Sequence, residues 1–184
     1  MTGSATRAAR AGVRPIAVLV GILLLAANLR AALAAYPPLL QTVRAELALS
    51  AGAAGLVQAC AVLMMGVGSF LAPRLARKPG WERALGVAVL VVGAGSLLRL
   101  VPAASALICG GLLVGGGIGA AGVLLTGVVK HHLADRAGTV TGAYVVSMMV
   151  GATAASAVTV PLAVTLGGWS RALAVWAVPA VLAV

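Results

Sequence analysis

The apolar residues of this chain fall in long unbroken runs separated by short basic segments. A run of about 20 apolar residues is long enough to cross a hydrocarbon core of roughly 30 Å as a helix. Only 9% of the residues are charged and 62% are hydrophobic. A soluble domain has about 25% charged residues, so too little polar surface exists here to cover a globule in water. The pattern predicts an all-α, polytopic membrane protein.

The net charge of +10 does not point to nucleic acid. The Lys and Arg residues sit between apolar runs, and no aromatic-basic surface is present to stack and cradle a strand. Cys60 and Cys109 lie inside apolar runs, without metal-ligand spacing, and read as small hydrophobes. Arg7, Arg10 and Arg14 resemble the basic start of a signal peptide, and Ala32-Leu33-Ala34 a cleavage site. The run from Ile16 is too long for such a peptide, so it reads as an uncleaved first helix.

A tail, residues 1–14, precedes a membrane bundle over 15–184. Six helices are expected near 16–36, 51–71, 84–100, 104–129, 138–162 and 170–184. Pro37-Pro38 ends the first, a loop covers Thr42–Ser50, and Ser50 is placed to cap the second. The basic loop Pro73–Arg83 and the polar loop Lys130–Arg136 follow. The last helix has some 15 residues, about 22 Å at 1.5 Å each, and looks cut inside its crossing. Gly111, Gly115 and Gly119, and Ser147, Gly151, Ala155 and Thr159, form stripes of small residues that let helices approach closely in lipid.

Charge also orients the bundle. Arg7, Arg10, Arg14, Arg74, Arg77, Lys78, Arg83, Lys130 and Arg136 fall on one side, against Arg44, Arg99 and Arg171 on the other. Positive loops stay cytoplasmic, which puts the N-terminus in the cytoplasm.

Catalytic chemistry is missing. Glu46, Glu82 and Asp135 are the carboxylates, all in loops. His131 and His132 are adjacent loop residues pointing about 100° apart on a helix, a poor geometry for sharing a metal. An intramembrane protease needs Ser and His, or Asp, within the membrane, and the apolar runs hold no His or Asp. The chain is expected to be no enzyme and to need no cofactor or metal.

Arg30 is the charge that needs explaining, about two-thirds along the first helix. A charge near mid-bilayer costs at least about 2.5–3.5 kcal/mol on insertion scales and usually lines a cavity or pathway. Snorkelling to the outer interface is the alternative, over a distance of roughly 9 Å. Arg99, beside Pro102, is expected to snorkel. Asn28 is expected to bond a neighbouring helix. Gln58 lies at a depth like that of Arg30 and either shares its cavity or bonds between helices. Pro37 and Pro38 leave the carbonyls of Leu33 and Ala34 without partners, as a plain helix end or as a break facing a substrate path.

Asn28-Leu29-Arg30-Ala31-Ala32-Leu33 with Pro37-Pro38-Leu39-Leu40 resembles helix 1 of the cyanate/nitroimidazole transporter branch (CynX/NimT) of the major facilitator superfamily. Leu71 to Arg83 resembles that branch's loop between helices 2 and 3. Val129-Lys130 through Asp135-Arg136-Ala137-Gly138, with Thr141-Gly142-Ala143-Tyr144, resembles the entry to helix 5. Gly167-Gly168-Trp169-Ser170-Arg171 resembles the turn before helix 6. Arg77 stands where the superfamily loop has Asp, and Ala31 where the branch commonly has Pro.

The resemblance implies the N-terminal half of a twelve-helix carrier, built from two inverted three-helix repeats, with substrate bound between the halves. Its partners would be the lipid bilayer, a small-molecule substrate and a second six-helix bundle, which is either a missing C-terminal half or a second copy. It implies a substrate site at Arg30, Gln58, Asn28 and Pro37, and a cytoplasmic gating loop at Arg74, Arg77, Lys78, Gly80 and Arg83. Arg30 suits a small anionic or dipolar solute, since a guanidinium holds a planar oxyanion by two hydrogen bonds. An inactive truncated transporter fragment and a half-size carrier working as a homodimer are the alternatives.

Overall fold

A computed structural model describes residues 3–132 and 136–178, with side-chain surroundings for 19–130 and 136–178. The elements are α1 (Gly3–Ala34), a 3-10 turn (Pro37–Leu39), α2 (Leu40–Glu46), α3 (Ala51–Ala76), α4 (Trp81–Leu98), α5 (Ala104–His132), α6 (Ala137–Thr165) and α7 (Trp169–Val175). Five segments are long and apolar enough to cross a membrane: 19–46, 51–76, 81–98, 104–130 and 137–165. The side chains of Arg7, Arg10, Arg14, His131 and His132, the residue Asp135, and the last span beyond residue 178 lie outside the described residues.

Several boundaries differ from expectation. Pro37-Pro38 starts a helical turn as well as ending α1, because proline's fixed φ suits the first helical positions. The segment 40–46 is therefore the short helix α2, and not loop. Ser50 does cap α3, its Oγ accepting from the Ala53 amide at 3.1 Å. That helix runs through Pro73 to Ala76, which shrinks the basic loop to Arg77–Gly80. Gly80, with φ of 87°, makes the reversal before α4 in a region that suits glycine. The polar loop after α5 is also shorter, since the helix continues through His132.

Glycines set the helix seams. A Cβ on Gly115 would collide with the Ala61 carbonyl of α3, and one on Gly119 with that of Met65. Gly68 of α3 sits as tightly on the Gly116 carbonyl. Gly151 of α6 lies against the Ala27 backbone of α1 in the same way. Two hydroxyls flank that contact: Ser147 Oγ donates to the Leu23 carbonyl at 2.6 Å, and Ser156 Oγ to that of Ala34 at 3.3 Å. The expected stripes are thus packing surfaces.

The two seams are related. Each joins the second span of one three-helix unit to the first span of the other: α3 to α5, and α6 to α1. This is the arrangement of two inverted repeats. The main core gathers Leu25, Leu29 and Leu33 of α1 with Val92 of α4 and Val114, Ile118 and Leu124 of α5. A second cluster closes the end that carries α2, around Tyr36, Leu39, Val43, Val57, Leu107 and Trp169. α3 and α6 stay mostly uncovered, with only 22% and 17% of their most apolar windows buried.

Candidate functional site

The last carbonyls of α1 need partners, because Pro37 and Pro38 carry no amide hydrogen to bond Leu33 and Ala34. Ser156 of α6 supplies one, at Ala34. Arg99 supplies another: its Nη1 donates to the Ala32 carbonyl at 3.3 Å. A cation at the C-terminal end of a helix also matches the helix dipole.

Arg99 corrects the snorkelling expectation. It is only 2% exposed. Its stem lies against Gly110, where a Cβ would come 2.8 Å from Arg99 Cγ. Its Nη2 passes over Gly111, and its Nε has no partner among the described residues. The Tyr36 phenol is within electrostatic reach, itself donating to the Ala54 carbonyl at 3.0 Å. Arg99 turns inward because Gly110 and Gly111 leave it room and α1 offers it an uncapped end.

Arg30 behaves differently. It is half-buried on α1 and has no hydrogen bond or ion pair to a described residue. It follows Leu23 and Ala27 along the half-exposed edge beside α6. Gln58 of α3 is also half-buried and makes no described hydrogen bond.

Asn28 is buried, and neither its Oδ1 nor its Nδ2 finds a partner. The expected bond to a neighbouring helix is absent among the described residues. Ser96 Oγ is likewise buried and unpartnered. Asn28 lies about one turn before Ala32 on α1, and Ser96 about one turn before Arg99 on α4. Pro37 is exposed at the end of α1. The Ala34 carbonyl, which Pro38 leaves without an amide donor, accepts from Ser156 and so does not stand open to a substrate path.

The proposed loop residues are all exposed. The Arg74 guanidinium folds back over the Phe70 ring at 4.9 Å, Arg77 caps α3, and Lys78, Gly80 and Arg83 span the turn into α4. The sequence reading missed one polar contact altogether: Trp169 Nε1 donates to Glu46 Oε2 at 2.7 Å, tying α2 to α7. A glutamate and an indole on loops of the same side were the available signal.

No family model matches the chain. Among curated proteins it is 38% identical over 167 residues to an uncharacterized transporter, YycB, of Bacillus subtilis, covering 90% of this chain and 42% of that one. It is 36% identical to the 2-nitroimidazole transporter of Escherichia coli, over 88% of this chain and 41% of the relative. It is 30% identical to the cyanate transport protein CynX of the same organism, over 90% and 44%.

The chain belongs to the cyanate and nitroimidazole transporter branch of the major facilitator superfamily.

It corresponds to the N-terminal half of that fold and spans less than half the length of the curated relatives it matches. The inward-open xylose transporter XylE of Escherichia coli has the same helical arrangement, with a TM-score of 0.79 over 91% of this chain and 46% of the transporter, at 16% identity. This major facilitator chain is a bacterial multi-pass membrane protein, and its relatives are transporters rather than enzymes.

Proposed function

We propose that the chain is the N-terminal half of a secondary transporter that moves a small anionic or dipolar solute by alternating access. Arg30 is its substrate-facing charge. The observation that carries this reading is the pairing state of Arg30: a cation within a membrane span that keeps partial exposure and bonds no described residue. A guanidinium in that condition offers a planar fork to an oxyanion. Gln58, Asn28 and Pro37 are the accompanying site residues, and Asn28 brings a buried amide whose polar atoms have no partner among the described residues. The relatives' named substrates, a nitroimidazole and cyanate, suit such a site. The Arg74–Arg83 segment is the cytoplasmic gating loop, with the N-terminus on the same side, by the excess of basic residues there. A second six-helix bundle completes the carrier.

The test is uptake of labelled cyanate and 2-nitroimidazole into proteoliposomes, first by the chain alone and then joined to the C-terminal half of the Bacillus relative. Arg30→Ala and Arg30→Lys should both lose uptake, since an ammonium does not reproduce the planar fork. Wild-type uptake by Arg30→Ala, with normal insertion, would remove Arg30 from the site.

A further inference from the structure

An apolar groove of about 400 Å³ runs between α3 and α4 over a floor of α5. Its walls include Met64, Leu71 and Leu75 from one side and Val87 and Val91 from the other, over Gly117. Pro79, in the turn between α3 and α4, forms its mouth. Gly116 puts no side chain on the floor, and Gly117 lets α4 pack closely on α5 beside it.

Three features identify its occupant. The groove is partly open to the surroundings of a membrane-spanning bundle, where lipid can reach it. From Met64 to Leu75 it extends about 17 Å, roughly half of a 30 Å hydrocarbon core and so one leaflet. Its mouth is basic. Arg83 stands one turn before Val87, at the edge of the groove face of α4, and Lys78 precedes Pro79 in the turn at the mouth, both exposed. Arg77 points about 180° away from Gly68, on the far side of α3.

We propose that this groove binds one acyl chain of an anionic phospholipid, whose headgroup phosphate is held by Lys78 and Arg83. Cations at the end of a membrane span attract anionic headgroups, at about 1 kcal/mol per residue, or roughly fivefold in affinity. An acyl chain in the groove adds depth that a charged surface alone lacks. The inference uses only the membrane location of the chain, so it stands or falls separately from the transport reading.

The experiment is native mass spectrometry of the full chain in detergent, titrated with phosphatidylglycerol and, separately, phosphatidylcholine. Phosphatidylglycerol should bind at least about fivefold tighter. Lys78→Gln with Arg83→Gln should weaken it roughly 25-fold, at fivefold per charge, whereas Arg77→Gln should change it less than about twofold. Val87→Trp should weaken both lipids by filling the groove, and Leu97→Trp, at the other end of α4, should weaken neither. Unfolding midpoints confirm that each variant is folded. Equal effects of Arg77→Gln and Lys78→Gln would mean diffuse charge attraction and overturn the site. A silent Val87→Trp would show that no chain enters the groove, and equal affinity for the two lipids would remove the anionic headgroup.

Discussion

Arg30 and Arg99 are the same side chain at two places on the chain, with opposite fates. Arg99 sits at the end of its helix, where the interface is near, yet it turns inward and caps α1 at Ala32. Arg30 sits deeper along its helix, yet it keeps partial exposure and no described partner. Depth along the sequence therefore does not decide burial. What decides it is whether the facing helix leaves room and an acceptor: Gly110, Gly111 and the frayed end of α1 provide both for Arg99. The first arginine keeps no described partner, and the second ties α4 to the end of α1.

Unfolding in detergent can break this comparison. Arg99→Ala removes the cap and leaves space beside Gly110; a buried side chain cut to alanine typically costs about 2–5 kcal/mol. A shift below about 0.5 kcal/mol, the size of an ordinary surface change, would return Arg99 to the interface. Arg99→Lys keeps the charge but loses the fork and its reach, and should cost about 1.5–3 kcal/mol, the value of a hydrogen bond to a charged group. Wild-type stability of that variant would show that charge alone matters. Tyr36→Phe deletes the bond to Ala54 and should cost about 0.5–1.5 kcal/mol; no change would mean the phenol is incidental to the closed end. Arg30→Ala should stay within about 0.5 kcal/mol of wild type, and a larger loss would give Arg30 a structural role.

Five spans, the family and the glycine seams were legible in the sequence because each is a local or periodic property. Gly111, Gly115 and Gly119 recur at one face spacing, and the structure puts that face on α3. Arg99 was not legible, since its environment is built by Tyr36, Ala32 and Gly110 from other spans. The neighbouring glycines at 110 and 111 were a usable hint that something large faces them. Pro37-Pro38 was half legible: the residues mark a break in any case, but whether a new helix starts there depends on the cluster of Leu39, Val43 and Trp169 that α2 joins. For the candidate site the sequence singled out Arg30 and Gln58 as polar residues within spans but could not tell that Asn28 would be left without a described partner. That outcome depends on which atoms of other helices come near it.

The α1–α6 seam joins residues far apart in the chain. Ser147 and Leu23 are separated by 124 positions. A ribosome adding about 5–20 residues per second needs roughly 6–25 s to make the second after the first. The contacts of α3, α4 and α5 involve neighbouring segments and can form earlier. During synthesis the face of α1 that carries Leu23 and Ala27 therefore waits uncovered in the membrane. The bundle closes only when Gly151 arrives.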